Sequence, residues 1–256
     1  MLVASPGSSA CAYGFSDDSL IDGRLYYVEA DPARAAEAPK FDPLTQPLPL
    51  SMRDAMAAAH RKVKDIGDRP DDWMLAGATL ERLGEHHWWW DVVLHRPSEE
   101  EGPRKWFRDA FRAKVCLDGH VGDVRKRVRF VELEWKTERR PRQEPPVEGP
   151  IQWDCHYNGR EILVTVDKEL TRSTKALSSD RADPEIDAAR AIRLALENIE
   201  KNLKTPEKWA PVTAHYRWLS ADSWYWSIEF LAADPAKEDS TYVIVYPSGD
   251  VTLPKL

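Results

Sequence analysis

The residues best suited to chemistry in this sequence lie on or beside expected strands. His86 and His87 precede three tryptophans, and Cys155 adjoins His156. Adjacent residues of a strand point to opposite faces of a sheet, so neither pair can hold a metal ion or form a thiol–imidazole pair from one face. We therefore interpret the two histidines as the end of a hairpin and Cys155 as a small core residue.

The other polar candidates also have simple structural interpretations. Asp118 and Gly119 fit a turn before His120, and Glu132 and Glu134 alternate on the solvated side of an expected strand. The sequence contains no phosphate-binding glycine loop, no nucleophile elbow, no His-Glu-x-x-His motif and no dinucleotide fingerprint. We therefore predict no catalytic residue, no metal site and no cofactor, and we expect a protein that is not an enzyme.

Composition narrows the classes of partner. The 256 residues carry a formal net charge of −7, whereas a nucleic-acid-binding protein usually has an excess of basic residues. Residues 104–142 are basic and aromatic, and we interpret them as a strand followed by a charged linker. No apolar run approaches the roughly 20 residues of a membrane-spanning helix. We expect neither a nucleic-acid partner nor a membrane span.

The first residues bear on localisation. Residues 1–15 lack the basic and apolar regions of a signal peptide and are predicted to be a flexible N-terminus. As written, the sequence therefore indicates a cytoplasmic protein. The small residues before Cys11 also fit the end of an export signal, so export is the alternative if the natural start lies upstream.

An internal repeat is the most informative feature of the chain. An offset of 136 residues relates Trp88 to Trp224, and it carries a two-residue turn, an alanine-rich amphipathic stretch and a Pro-x-x-Trp motif from one copy to the other. In each copy the order of patterns indicates a hairpin, one main helix and then antiparallel strands. We therefore predict an α+β fold made by internal duplication, with two domains of the form β-β-α-β-β-β. In each domain one main helix packs on a curled antiparallel sheet.

The domain boundaries follow from the repeat. The first domain is predicted at 16–128 and the second at 151–256. Between them, residues 129–150 form a proline-rich charged linker whose first part also fits an extra strand. Ser51 is a suitable N-cap for the first helix, and Pro184 suits the first turn of the second.

The strongest strand pattern lies at 87–94, and its counterpart lies at 223–230. Alternate residues of a strand share a face. The rings that we assign to the core beneath the helices are Trp88, Trp90, Trp224 and Trp226. Trp89 and Tyr225 occupy equivalent positions on the opposite face, and we predict them as binding residues. The alternative is that the two sheets pack against each other and bury both rings.

Each repeat resembles the PepSY family, and its helix-on-sheet order resembles the cystatin-like α+β roll. The matching motifs are the alanine-spaced helix, the aromatic-x-aromatic-x-valine strand, and the closing hairpins at 115–121 and 245–251. They cover the latter two thirds of each repeat. The resemblance implies a non-catalytic module of a bacterial protein that binds rather than reacts. The Gln-x-Val-x-Gly loop of cystatins is absent from both repeats, so inhibition of the cystatin type is not expected.

Three functional hypotheses follow. We favour a non-catalytic binding or structural protein whose partner is a protein or peptide held at the sheet surface or at an exposed edge strand. The alternatives are a peptidase inhibitor or regulator, and a small-molecule binder or enzyme of the α+β-roll type with a pocket between helix and sheet. A core filled by tryptophan rings would argue against such a pocket. Burial of Trp89 and Tyr225 would assign them to the scaffold.

Overall fold

A computed structural model describes most of the chain. The described ranges are 16–21, 24–30, 32–67, 70–97, 107–126, 150–157, 160–173, 184–202, 208–220, 222–234 and 239–254. The predicted flexible N-terminus at 1–15 lies outside them. So does the predicted linker with its extra strand at 129–150, except for Pro150.

Strands dominate the described residues. In chain order they are β1 (Ser16–Ile21), β2 (Arg24–Glu29), β3 (Met74–Arg82), β4 (Trp88–Pro97), β5 (Phe107–Cys116), β6 (Asp123–Lys126), β7 (Gln152–Tyr157), β8 (Arg160–Thr165), β9 (Trp209–Ser220), β10 (Ser223–Ala232), β11 (Ser240–Val245) and β12 (Val251–Thr252). The helices are α1 (Pro32–Glu37), α2 (Met52–Lys64) and α3 (Ala188–Asn202), with a 3₁₀ turn at Pro70–Asp72.

All of these strands belong to one antiparallel sheet. Its order is β6-β2-β1-β5-β4-β3-β9-β10-β11-β7-β8, with β12 beside β11. The prediction of an α+β fold, with a separate curled sheet and one main helix in each of two domains, is therefore wrong. The described residues are 47% strand and 21% helix, which makes the structure mostly β. The two expected sheets merge because β3 and β9 pair with each other, and this pairing satisfies backbone groups that two isolated sheets would leave unpaired at their edges.

An approximate two-fold axis passes through the seam between β3 and β9. The seam pairs are Ala78 with Tyr216, Thr79 with His215, Leu80 with Ala214 and Glu81 with Thr213. Thr79 and His215 are counterparts in the repeat and face each other, and the pairs on either side of them exchange partners. This exchange is the pattern of an isologous interface, the kind that two identical subunits form.

Helices α2 and α3 cover one face of the sheet. The side chain of Ser51 caps α2, as predicted, by accepting a hydrogen bond from the backbone N–H of Asp54 at 3.1 Å. Asp187 does the same for α3, with its Oδ1 2.7 Å from the backbone nitrogen of Arg190. The residues that the two helices bury are mainly alanines, so the helix axes can lie close to the sheet.

Two indole rings fix this helix layer to the sheet on either side of the axis. The ring centroids of Trp90 and Trp226 are 6.5 Å apart. Trp90 Nε1 donates a hydrogen bond to the carbonyl of Leu50 at 3.0 Å, and Trp226 Nε1 donates to the carbonyl of Ile186 at 2.8 Å. Each of these carbonyls lies just before the N-terminus of a helix, so the same contact anchors α2 and α3. The assignment of the four core tryptophans to the helix side is confirmed.

We expect Trp226→Phe to destabilise the protein more than Trp224→Phe. Both rings are fully buried on β10, but Trp226 donates to Ile186, whereas Trp224 Nε1 has no hydrogen-bond partner among the described residues. The difference isolates the buried hydrogen bond and should be about 1–3 kcal/mol in the free energy of unfolding, measured by urea denaturation. Equal losses in the two variants would mean that this bond does not anchor α3.

Candidate functional site

The two predicted binding residues lie on the sheet face opposite the helices, and both are buried. Trp89 is 4% exposed and Tyr225 is 2% exposed. Trp89 Nε1 donates a hydrogen bond to Glu81 Oε2 at 2.7 Å, and Tyr225 packs in a second core beside the β7–β8 hairpin. Neither ring offers an exposed contact face, and each is covered within its own half of the sheet. Their burial assigns them to packing.

The face around Trp89 carries four alternating charges, which we call the charge ladder: Glu81, Lys114, Asp91 and Arg112. Lys114 Nζ lies 3.3 Å from Glu81 Oε2 and 3.1 Å from Asp91 Oδ2. Arg112 Nε lies 3.9 Å from the same Asp91 oxygen. Lys114 Nζ also lies 5.1 Å from the centroid of the Trp89 ring, a cation–π contact. The ladder therefore links β3, β4 and β5 through side chains as well as backbone.

Burial shifts the protonation equilibrium of one member of the ladder, Asp91. Asp91 is 7% exposed, and desolvation raises its pKa to about 6, although the positive charge of Lys114 opposes the shift. Its second oxygen, Oδ1, is buried and accepts no hydrogen bond from the described residues. A carboxyl group that titrates near neutrality suits acid–base chemistry, but structural ion pairs produce the same shift. The ladder is therefore a candidate site by its chemistry alone.

The seam continues the row of side chains from the ladder. Thr79 stands beside Asp91 on one side and His215 on the other, and its Oγ1 lies 2.9 Å from His215 Nδ1. His215 stacks on Trp153 with ring centroids 6.0 Å apart, and burial lowers its pKa to about 4. A hydroxyl beside a neutral imidazole is the arrangement of a nucleophile and its base. Here the indole covers the imidazole, and the pair acts as a cross-strand hydrogen bond between the two halves.

The second half of the sheet replaces the ladder with an apolar core. Ser227 and Ile244 occupy the positions that Asp91 and Lys114 hold in the first half. The buried residues of this second core are Cys155, Val164, Val166, Tyr225, Ile244 and Tyr246. The two halves therefore share their helix-side core and differ on the opposite face. Sequence reasoning missed this difference, although a comparison of the two repeats position by position carries the signal.

Each hairpin joins the rest of the sheet through one paired strand position, and side-chain contacts support this pairing. β1 meets β5 at one pair, and β7 meets β11 at one pair. In the first half Ser19 Oγ accepts a hydrogen bond from the backbone N–H of Arg112 at 3.0 Å. In the second half Cys155 Sγ accepts one from Tyr242 at 3.1 Å. Cys155 is thus a buried structural residue, as predicted, and burial raises the pKa of its thiol.

The two ends of the sheet have different outer edges. β6 has four residues, and Asp123, Arg125 and Lys126 make it charged, as is usual for a protected edge. β8 has six residues and pairs only with β7 among the described strands. Leu163 of β8 is 48% exposed and is the most exposed large apolar side chain of the described residues. Among the described residues, no strand pairs with the outer edge of β8, and this edge exposes Leu163 between Glu161 and Thr165.

A cavity of about 210 Å³ lies between the N-termini of α2 and α3. Its lining residues are Leu48, Ser51, Met52, Pro184, Glu185, Asp187, Ala188 and Trp226. Ser51 and Asp187 already accept backbone N–H groups of their own helices. Two acidic side chains at the rim also disfavour an anion there. The cavity is a gap in helix packing with no anion-binding character.

Comparisons with known proteins identify no relative. No family model matches the chain, no curated protein matches its sequence, and no solved structure matches its fold. The resemblance to PepSY repeats therefore stays a prediction. Within the described ranges, no helix is long and apolar enough to cross a membrane. The same ranges contain no group of three or more histidine, cysteine, aspartate or glutamate side chains placed to hold a metal ion.

Asp91 and His215 should make the stability of the protein depend on pH in opposite directions. Folding raises the pKa of Asp91 from 3.8 to about 6, so its contribution is full below pH 3.8 and is lost as the pH rises through 6. Folding lowers the pKa of His215 from 6.5 to about 4, so its contribution is present above pH 6.5 and is lost as the pH falls toward 4. Each shift corresponds to about 3 kcal/mol.

Melting temperatures measured between pH 4 and pH 8 test this pair of shifts. We expect Asp91→Asn to steepen the loss of stability on acidification, because it removes the group that gains stability there. We expect His215→Gln to flatten the loss, because glutamine can still hydrogen-bond to Thr79 without titrating. Wild-type slopes in both variants would show that neither group titrates with a shifted pKa.

We expect Lys114→Ile to destabilise the protein by about 3–5 kcal/mol, because it leaves the buried Asp91 and the partly buried Glu81 without their shared cation. The double variant Lys114→Ile with Asp91→Ser installs the residue pair of the second half. It should be more stable than Lys114→Ile alone, since it removes one stranded charge. Urea denaturation measures these two variants and the single variant Asp91→Ser. A loss in the double variant equal to the sum of the two single losses would mean that the two residues are not coupled.

Proposed function

We propose that this protein is a non-catalytic binding protein that takes an extended segment of a protein or peptide partner onto the outer edge of β8. The observation that carries the proposal is that no described strand pairs with this edge. An added strand gains affinity from main-chain hydrogen bonds and specificity from the side chains beside it.

The backbone of β8 has hydrogen-bonding groups directed outward. In an antiparallel pair, alternate residues direct both their N–H and C=O groups to the partner strand. Val166 donates its N–H to the carbonyl of Ile151 at 2.8 Å, so residues at even positions of β8 face β7. Glu161, Leu163 and Thr165 therefore direct their backbone groups away from the sheet.

The side chains of β8 give the added strand two different surroundings. On one face Glu161, Leu163 and Thr165 are all exposed. On the other face Ile162 is half-buried and Val164 is buried, and both pack with the second core. A partner strand with alternating apolar residues would extend this core on one face and cover Leu163 on the other. β6, at the opposite end of the sheet, is shorter and charged and offers no equivalent surface.

The packing between the helices and the sheet also favours binding at the edge. A pocket for a small molecule in this layer would lie where the indole rings of Trp88, Trp90, Trp224 and Trp226 pack. All four rings are at most 3% exposed. A ligand there would have to displace them, whereas a strand added to β8 displaces no described side chain.

A phage-displayed library of random dodecapeptides, selected against the full chain, tests the proposal. The critical variant is Leu163→Pro, which removes one outward N–H while leaving the bonds between β8 and β7 in place. We expect selected peptides with alternating apolar residues that bind the wild type about tenfold or more tightly than the variant. The variant loses one backbone hydrogen bond to the added strand and one apolar contact, which together account for this difference.

Two control variants separate the backbone from the side chain. Leu163→Ser keeps the outward N–H and should lose less affinity than Leu163→Pro. Leu231→Ser removes another exposed leucine, on β10, and should bind like the wild type. Circular dichroism shows whether each variant is folded. The proposal fails if no peptide is selected, or if the selected peptides bind folded Leu163→Pro as well as they bind the wild type.

A further inference from the structure

We infer that β8 also pairs with β8 of a second copy of this chain, antiparallel and centred on Leu163. This inference rests on the proposed function, because both use the outer edge of the same strand. It names a partner whose sequence is known, and it fixes a register.

The direction of the backbone groups restricts the register. Two β8 strands can bond only where outward-facing residues meet outward-facing residues, which are Glu161, Leu163 and Thr165 in each copy. With Leu163 opposite Leu163 of the second copy, all three positions on both strands find partners. A shift by two residues in either direction leaves at least one of them beyond the end of the strand. The centred register therefore forms the largest number of backbone hydrogen bonds between the two strands.

Charge favours the same register. Glu161 falls opposite Thr165 of the second copy, whose hydroxyl can donate a hydrogen bond to the carboxylate. A register centred on Glu161 would instead place two carboxylates directly opposite each other, which is destabilising. In the centred register no like charges within β8 face each other.

Apolar contacts also coincide in this register. The 48% exposed side chain of Leu163 meets its own copy on one face. On the other face Ile162 falls opposite Val164 of the second copy. Both residues belong to or pack against the second core, so the pairing would continue that core across the new two-fold axis.

The chain already contains one interface of this geometry. At the seam β3 and β9 pair edge to edge around an approximate two-fold axis, with Thr79 opposite its counterpart His215. The seam lies beneath a helix layer, and on that side the rings of Trp90 and Trp226 add a contact. A pair of six-residue strands without such a layer buries less than the roughly 1,200 Å² of a stable interface. The β8 pair should therefore be a weak, reversible dimer.

Sedimentation velocity of the full chain, from about 1 to 300 μM, tests for the dimer. We expect the weight-average sedimentation coefficient of the wild type to rise with concentration. Leu163→Pro and Leu163→Lys should remain monomeric throughout the range. Leu231→Lys, which places the same charge at an exposed leucine of β10, should behave like the wild type.

Cysteine cross-linking tests the register. The background is Cys11→Ser, since Cys116 and Cys155 are buried. Cβ atoms of opposed residues lie about 5 Å apart, so a shift of about 1 Å between two edge strands brings cysteines there to the separation of a disulfide. Leu163→Cys should therefore cross-link with itself under mild oxidation, while Glu161→Cys alone should not. A mixture of Glu161→Cys and Thr165→Cys should form the mixed dimer.

The outcomes distinguish this inference from the function on which it rests. A wild type that stays monomeric at 300 μM but still binds selected peptides overturns the self-pairing and leaves strand addition standing. A dimer that persists in folded Leu163→Pro uses another surface and overturns it too. A wild type that neither self-associates up to about 300 μM nor selects a peptide overturns both proposals. Cross-linking of Glu161→Cys alone replaces the centred register with one that opposes the two glutamates.

Discussion

The pairing of β3 with β9 is the constraint on which the rest of the structure depends. Each strand would otherwise end its half of the sheet with a row of backbone groups that no strand pairs, and such an edge promotes association with other chains. Pairing them makes one sheet of two halves and brings Thr79 against His215. It also places Trp90 and Trp226 close enough to pack across the axis, so the core on the helix side is continuous across the seam.

The two halves of the sheet are alike on one face and differ on the other. The helix face is equivalent in the two halves down to the hydrogen bonds of Trp90 and Trp226. On the opposite face, the first half has the charge ladder, in which Asp91 and Lys114 are buried, and the second half has a hairpin packed over apolar residues. A buried ion network is rarely more stable than an apolar core of the same volume, but removing one member leaves a stranded charge. The first half can therefore retain its ladder only as a complete set.

Local structure was readable from the sequence where a repeated local pattern specified it. Ser51 caps α2 at the predicted position, and the core tryptophans follow the two-residue period of their strands. The short helix α1 was missed, because it lies in a stretch whose prolines indicate an irregular connection. Strand periodicity gives the direction of a side chain, so Trp89 and Tyr225 were placed on the correct face. It does not tell what covers that face, so their burial could be given only as the alternative to a binding role.

Neither the joined sheet nor the charge ladder could be predicted from the sequence, and the reasons are related. The alternation along β3 is the same whether its outer edge faces water or another strand, so no residue pattern marks the seam. The pairing depends on long-range contacts between residues about 136 positions apart, such as Thr79 and His215. The ladder gathers its side chains from three strands, and each member alone looks like a solvated charge. The identity of any one of these residues therefore does not indicate that the four lie together.

Covalent linkage of the two halves has a consequence for how they can diverge. In a dimer of identical subunits, a residue on the two-fold axis must face a copy of itself. A hydroxyl–imidazole pair such as Thr79 with His215 is then impossible, because a single gene would specify both members. Fusion into one chain removes this identity constraint at the centre of the sheet. Each half can then accumulate its own substitutions while the shared seam preserves their alignment, so the protein has the architecture of a symmetric dimer and the chemistry of an asymmetric one.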